Sequence, residues 1–172
     1  MSLSIVILAA GKGTRMKSAI TKVIHKLAGK PLVEHVIDTA KRLNPNNLTV
    51  VSGNGAEQMQ SLLEAKQVVE VMQNEQLGTG HAVMQATAQF ANDEQVLVLY
   101  GDVPLTQLST LQQLIGCGDK KSLRILTTEL ADPTGYGRIV RNDAGDVICI
   151  TEQKDADLQT LTIKEVNSGI MV

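Results

Sequence analysis

The chain opens on a short apolar run, Ile5-Val6-Ile7-Leu8, that passes without a polar break into Ala9-Ala10-Gly11-Lys12-Gly13-Thr14-Arg15-Met16. The run reads as a buried strand, and Gly11 and Gly13 let the following loop present bare backbone N–H groups. Lys12, Thr14 and Arg15 add two cations and a hydroxyl beside them. Such a loop cradles phosphate, and the carboxyl end of a first strand is where open α/β sheets bind ligands. The bland alternative is a surface loop with solvated Lys and Arg, and position argues against it. Two familiar phosphate loops fit less well. A Walker A loop needs four residues between its first Gly and a Gly-Lys-Ser/Thr ending, whereas Lys12 alone separates Gly11 from Gly13. The dinucleotide fingerprint matches at Gly11 and Gly13, but Met16 stands where a third Gly allows close helix packing, which disfavours a dehydrogenase.

Apolar runs of strand length recur at 5–9, 48–51, 68–72, 96–100 and 124–128, several bounded by Gly, Asn, Asp or Pro. Segments of helical spacing lie between them. The first, 31–43, puts Leu32, Val33, Val36, Ile37 and Ala40 on one face, and 55–65, 79–90 and 105–115 follow. Strands alternating with helices predict a Rossmann-like α/β fold with a mostly parallel central sheet flanked by helices. After Asp132 come shorter extended pieces, 137–141 and 147–151, around the turn-prone Asn142-Asp143-Ala144-Gly145, which predicts a hairpin. The sequence stops at Gly169-Ile170-Met171-Val172 in what reads as another strand, so a fragment truncated at its C-terminus is expected.

At 172 residues one domain, 1–172, is expected, with a proper hydrophobic core. The formal net charge is −2 and the 16 Lys and Arg are spread along the chain, which leaves no electrostatic footprint for nucleic acid. Trp is absent and there are only two Tyr and one Phe, so base-stacking platforms are not expected either. Cys117 and Cys149 lack CxxC spacing and read as structural thiols. The amino-terminal run is too short for a membrane span and has no basic lead-in, so no membrane association is expected and a cytoplasmic location follows by default.

Two later stretches carry chemistry. The strand at 96–100 runs straight into Gly101-Asp102-Val103-Pro104, which puts a carboxylate at a strand's carboxyl end. Asp102 suits Mg²⁺, a hard cation that takes one or two carboxylates plus substrate phosphates, and it equally suits a cap on the following helix. In Gln73-Asn74-Glu75-Gln76-Leu77-Gly78-Thr79-Gly80-His81-Ala82, amides, glycines and a hydroxyl fall together. Gln offers donor and acceptor to a pyrimidine edge, and Gly lets a base lie against backbone. His81 reads as structural, since a lone His at a helix start has no second metal-type ligand beside it.

Taken in order, L-A-A-G-K-G-T-R-M, K-V-I-H-K-L-A-G-K-P-L headed by Lys22, Q-N-E-Q-L-G-T-G-H-A, Y-G-D-V-P, D-P-T-G-Y-G-R-I, T-E-Q-K-D-A and E-V-N-S-G-I resemble the sugar-nucleotide pyrophosphorylases nearly end to end. Within that family the sequence is most similar to the amino-terminal domain of the bacterial bifunctional UDP-N-acetylglucosamine pyrophosphorylase/glucosamine-1-phosphate N-acetyltransferases. The resemblance implies a nucleotidyltransferase fold and uridylyl transfer from UTP to N-acetylglucosamine 1-phosphate. The products are UDP-N-acetylglucosamine, a cell-wall precursor, and pyrophosphate, with Mg²⁺ as cofactor. It implies that Leu8, Ala9, Ala10, Gly11, Gly13, Gly78 and Thr79 meet the nucleotide, with Gln73 and Gln76 near the uracil. Lys12 and Arg15 would hold the triphosphate tail, Lys22 the reacting phosphate and Asp102 the metal. Tyr100, Gly101 and Asp102 would surround sugar and metal, and Gly137, Glu152 and Asn167 would bind the amino sugar. Arg15, Lys22 and Asp102 are thereby the expected catalytic residues, none of them a nucleophile.

The sequence departs from the family at Thr21, where Pro is common, and at Val103, where Ala is frequent. By the resemblance, a second Mg²⁺ ligand, further sugar contacts and an acetyltransferase β-helix domain would follow Val172, so acetyl transfer is not expected of this chain. Uridylyl transfer by the chain alone stays open. Family members trimerise through that later domain, and the chain by itself is expected to be a monomer. A related nucleotidyltransferase using thymidine or cytidine nucleotides, or a nucleotide-binding module without catalysis, are the other readings.

Overall fold

The structure, a computed structural model, describes residues 2–172 apart from Lys12, Thr14, Arg15, Asn54, 92–94 and Lys120. The chain gathers into two compact units, one running to Ser122 (with Val172) and the other Leu123–Met171.

In the first unit β1 (Leu3–Leu8) is buried at every position. Its one polar side chain, Ser4, is satisfied by Asn47 Nδ2, which donates to Ser4 Oγ at 3.2 Å. After it, β2 (Lys26–Leu27) and β3 (Lys30–Pro31) form a two-residue hairpin that leads into α1 (Leu32–Lys41). The unit continues with β4 (Asn47–Ser52), α2 (Gln60–Ala65), β5 (Val69–Met72), α3 (Thr79–Gln85), β6 (Gln95–Tyr100) and α4 (Leu108–Gly116). β1 pairs in parallel with β4 on one side and β6 on the other, and β5 lies in parallel outside β4. α1 packs Val33, Val36, Ile37 and Ala40, spaced for one helical face, and contacts β1 and β6; α3 contacts β1 and β4. A strand buried at every position needs cover on both faces, and a parallel sheet with crossover helices supplies it.

The registers set the site. Leu8 stands opposite both Val51 and Tyr100, and Ser52 opposite Met72. Hydrogen bonds carry each pairing one step past the strands: Ala9 N–H to Val51 O at 2.8 Å, Gly101 N–H to Leu8 O at 2.9 Å and Gln73 N–H to Ser52 O at 2.8 Å. All four strands therefore end in one row. From β1 the chain steps outward to β4 and β5, then crosses back to the far side of β1 for β6, so a topological switch point lies between β1 and β6.

Several helices are shorter than their periodicity predicts. The stretch 55–65 is divided into a tight turn, Ala56–Gln58, and α2, separated at the fully buried Met59. The stretch 79–90 stops at Gln85, where Thr87 Oγ1 donates to Met84 O at 2.8 Å and so competes for a helix carbonyl. The β2–β3 hairpin turns through Ala28 (φ 49°) and Gly29 (φ 82°), a two-residue turn with both φ positive. Ala28 hides it from a sequence reading, because Asn or Asp usually stands there.

The second unit is antiparallel. β8 (Arg138–Arg141) and β9 (Val147–Thr151) form the expected hairpin, and its turn is closed by Gly145 N–H to Asn142 O at 2.9 Å. β10 (Glu165–Met171) pairs with β8 and with β7 (Ile125–Glu129). α5 (Leu158–Leu161), absent from the sequence reading, is capped by Asp157, whose Oδ1 accepts from Thr160 N–H at 2.7 Å. The Arg141 guanidinium holds Glu165 through two hydrogen bonds of 2.8 and 2.7 Å, tying β8 to β10. This contact lowers the Glu165 carboxyl from its ordinary 4.5 to about 2.

Two outcomes follow for stability. Ile5, at 0% exposure, is expected to cost about 2–5 kcal/mol when replaced by Ala, read from denaturant unfolding; a loss below about 1 kcal/mol would contradict its central position. A carboxyl whose folded pKa lies below its unfolded value stabilises above the unfolded pKa and stops doing so as pH falls through the folded one. Glu165→Gln should therefore flatten the acid limb of the stability profile between about 4.5 and about 2, and an unaltered limb would contradict the pairing.

Candidate active site

A cleft of about 540 Å³ opens in the first unit where β1 and β6 end. The loop after β1 contributes Leu8, Ala9, Ala10, Gly11 and Gly13, and the segment after β5 contributes Gln73, Gln76, Gly78 and Thr79. Lys22, Tyr100 and Asp102, also expected from the sequence, line it too, while Met16, Val23 and Ala82 line it without having been anticipated. Gly101 sits between Tyr100 and Asp102, packed so that a Cβ there would come within 3.2 Å of Val23 Cγ1. Lys12 and Arg15 lie outside the described residues.

Lys22 is held from beneath. It begins a short turn, Lys22–Ile24, anchored by the buried Val23. The residues before it are clamped by one amide: Thr21 N–H donates to Gln58 Oε1 at 2.9 Å, and Gln58 Nε2 donates to Ala19 O at 3.3 Å. Gly55, at φ +86°, makes room for Thr21, since a Cβ there would lie 2.3 Å from Thr21 Oγ1. Gln58 is a long-range partner that no local pattern marks. So braced, Lys22 Nζ donates to Asp102 Oδ2, the two side chains being 41% and 25% exposed. Asp102 does not cap the next helix: α4 begins at Leu108 with Gln107 at its cap position.

The other cleft segment is organised by Gln73, which is buried. Its Nε2 donates to Gly78 O at 3.2 Å and contacts His81 Nδ1 at 3.0 Å, while Gln85 Nε2 stands 3.1 Å from His81 Nε2. His81, set aside on local sequence, is thus in contact with a cleft residue.

In the second unit Gly137, Glu152 and Asn167 come together. Asn167 N–H donates to Gly137 O at 2.9 Å, and a Cβ on Gly137 would lie 3.3 Å from Glu152 Oε1. Asn167 Oδ1 accepts from Gly169 N–H at 2.9 Å.

Among the described residues no group of three or more His, Cys, Asp or Glu side chains converges on a metal position. Asp102 offers one hard carboxylate in a cleft, a donor set that fits Mg²⁺, which fills its octahedron largely from water and phosphate. Among the same residues no helix is long and apolar enough to cross a membrane.

A parallel α/β sheet with a glycine loop, a lysine and a carboxylate at one strand edge defines a nucleotidyltransferase-type fold. The chain belongs to the MobA-like NTP transferase domain family, whose profile matches residues 5–153. It is 53% identical over 172 residues to the bifunctional protein GlmU of Idiomarina loihiensis, covering all of this chain and 38% of that protein. It is 54% identical over 170 residues to the bifunctional protein GlmU of Herminiimonas arsenicoxydans, covering 99% of this chain and 37% of that one. The chain thus spans under two fifths of these relatives. Among solved structures, a UDP-glucose pyrophosphorylase complexed with UDP-glucose shares the fold, with a TM-score of 0.76 at 18% identity over 99% of this chain and 75% of that one.

Gly13 has φ +57°, and a Cβ there would stand 2.8 Å from Lys22 Cβ. Gly13→Ala is expected to displace the lysine turn and weaken nucleoside triphosphate binding at least about tenfold by calorimetry, since positive φ and overpacking each cost about 1 kcal/mol or more. Unchanged affinity would contradict the close approach.

Proposed function

We propose that this chain transfers uridylyl from UTP to N-acetylglucosamine 1-phosphate, releasing pyrophosphate. The observation that carries the reading is the joint presence in one cleft of the glycine loop, the Lys22–Asp102 pair and the Gln73 amide. Membership of an NTP transferase family and likeness to the GlmU proteins support it.

The reaction needs little covalent work from the protein. A phosphate oxygen of the sugar attacks the α-phosphorus of UTP, the bond to the β-phosphate breaks, and pyrophosphate carries away the electron pair. What the site must supply is alignment and neutral charge. An ion pair as exposed as Lys22–Asp102 contributes about 0–1 kcal/mol, so incoming phosphate can take over the lysine at small cost. Lys22 then stabilises charge at the reacting phosphorus, and the N–H groups of the loop after β1 hold the triphosphate. Lys12 and Arg15 are proposed to steady the leaving pyrophosphate. Asp102, freed of Lys22, would hold Mg²⁺, which supplies charge neutralisation for the phosphates. Gln73 and Gln76 are proposed to face the uracil, Tyr100 and Gly101 the sugar phosphate, and Gly137, Glu152 and Asn167 the amino sugar.

Pyrophosphate release measured with competing nucleoside triphosphates and sugar phosphates tests the proposal. UTP with N-acetylglucosamine 1-phosphate is expected to be the preferred pair, and Lys22→Ala or Asp102→Ala to lower turnover about a hundredfold or more. Preference for another pair, or near-normal turnover in either variant, would contradict it.

A further inference from the structure

We infer that Arg138 is a positioning residue that ties the 132–136 loop to the turn after β9, and so holds Gly137 and Glu152 in the arrangement an amino sugar would meet. The inference rests on the reading of Gly137, Glu152 and Asn167 as amino-sugar contacts.

Arg138 is the bulkiest of the fully buried side chains among the described residues, at 1% exposure. None of the ion pairs among those residues includes it, and its Nε is buried without a hydrogen-bond partner there. A buried cation without a counter-charge is costly, and an apolar side chain of similar volume commonly serves stability as well or better. Packing alone therefore does not account for arginine at this position. What arginine adds over an apolar residue is a rigid fork of N–H donors.

The fork is used to join two chain segments. Arg138 Nη1 donates to Tyr136 O, and Nη2 donates to Gln153 Oε1 at 2.9 Å. Gln153 Oε1 also accepts from Gly135 N–H at 3.0 Å. A guanidinium N–H and a backbone N–H can only donate, so the end of the Gln153 amide that meets them is its oxygen. One oxygen thus links the loop before β8 to the turn after β9, and Arg138 is bonded to both.

The segments so joined carry the expected sugar contacts. Arg138 pairs with Thr151 on β9 and with Val166 on β10, so Gly137, Glu152 and Asn167 are the next residues along the three chains. The bond from Arg138 to Tyr136 O spans Gly137. A Cβ on Gly137 would come within 3.3 Å of Glu152 Oε1, and Asn167 N–H donates to Gly137 O at 2.9 Å. Displacing the loop would therefore disturb all three residues. Neither hydrogen bond of the fork goes to Glu152 or Asn167, so Arg138 acts on them through the loop and the turn.

UDP and UDP-N-acetylglucosamine differ by the sugar on the β-phosphate, so the ratio of their Kd values on this chain, read by calorimetry, isolates the sugar contact. Wild type is expected to bind the sugar-bearing ligand more tightly, and Glu152→Ala to narrow the ratio. Gln153→Leu and Arg138→Lys each break the fork and should narrow the ratio about three- to tenfold, the worth of one hydrogen bond, with the Kd for UDP held within about twofold. Gln153→Glu keeps an acceptor for both donors and adds a counter-charge, and should preserve the ratio. Should Arg138→Lys unfold the chain, the two Gln153 variants, at a half-buried position, decide the matter. Narrowing below about threefold in Gln153→Leu, or equal weakening of both ligands, would overturn the role. A ratio lost in Gln153→Glu would overturn it too, and would assign the effect to the field of the cation. A wild type without preference for the sugar-bearing ligand, or a Glu152→Ala ratio equal to wild type, would instead overturn the amino-sugar reading, and Arg138's role with it.

Discussion

Confinement of β1 between two parallel partners is the constraint from which the site follows. Ile5, Val6 and Ile7 are wholly buried, so β1 cannot slip by a residue without turning its apolar set toward the wrong neighbours. With that register fixed, Leu8 faces Val51 and Tyr100, and the three chain segments leaving β1, β5 and β6 start from one row. The glycine loop, Gln73 and Asp102 come from positions far apart in the sequence. They share a cleft because hydrophobic burial aligned the strands that precede them.

The cleft uses two kinds of polar contact, and magnitude separates their roles. The Lys22–Asp102 pair is substantially exposed and contributes at most about 1 kcal/mol, so in the proposed reaction it would be exchanged for phosphate and metal. The Gln73–His81–Gln85 chain is more enclosed, and a buried amide left unsatisfied costs about 1–3 kcal/mol, so it resists rearrangement. One end of the substrate would meet groups free to change partners, and the other a fixed template.

Much of this was legible in the sequence, for reasons that also mark the limit. The strands announced themselves because uninterrupted apolar runs have few other uses, and Asn142 to Gly145 named its own turn. Of the residues lining the cleft, those in the loop after β1, in the segment after β5 and at the end of β6 lie in motifs at strand ends, whereas Lys22 rested on the family resemblance and Met16, Val23 and Ala82 had no such mark. Contacts without a local pattern did not. Gln58 clamps residues 37 and 39 positions away, and nothing in Ala56-Glu57-Gln58 signals it. His81 looked structural because its partner Gln73 lies in the segment before the helix, where sequence spacing does not reveal a hydrogen bond. Asp102 could equally have been a cap until Lys22 was seen to donate to it and α4 to begin six residues later.

Crystals of the chain soaked with UTP would show directly whether one cleft reads the base at one end and exchanges ion partners at the other. The uracil edge should lie against Gln73, with the triphosphate along Gly11 and Gly13 and Lys22 Nζ moved from Asp102 onto phosphate oxygen. A triphosphate bound away from that loop, or a Lys22–Asp102 pair left intact beside it, would contradict the central claim.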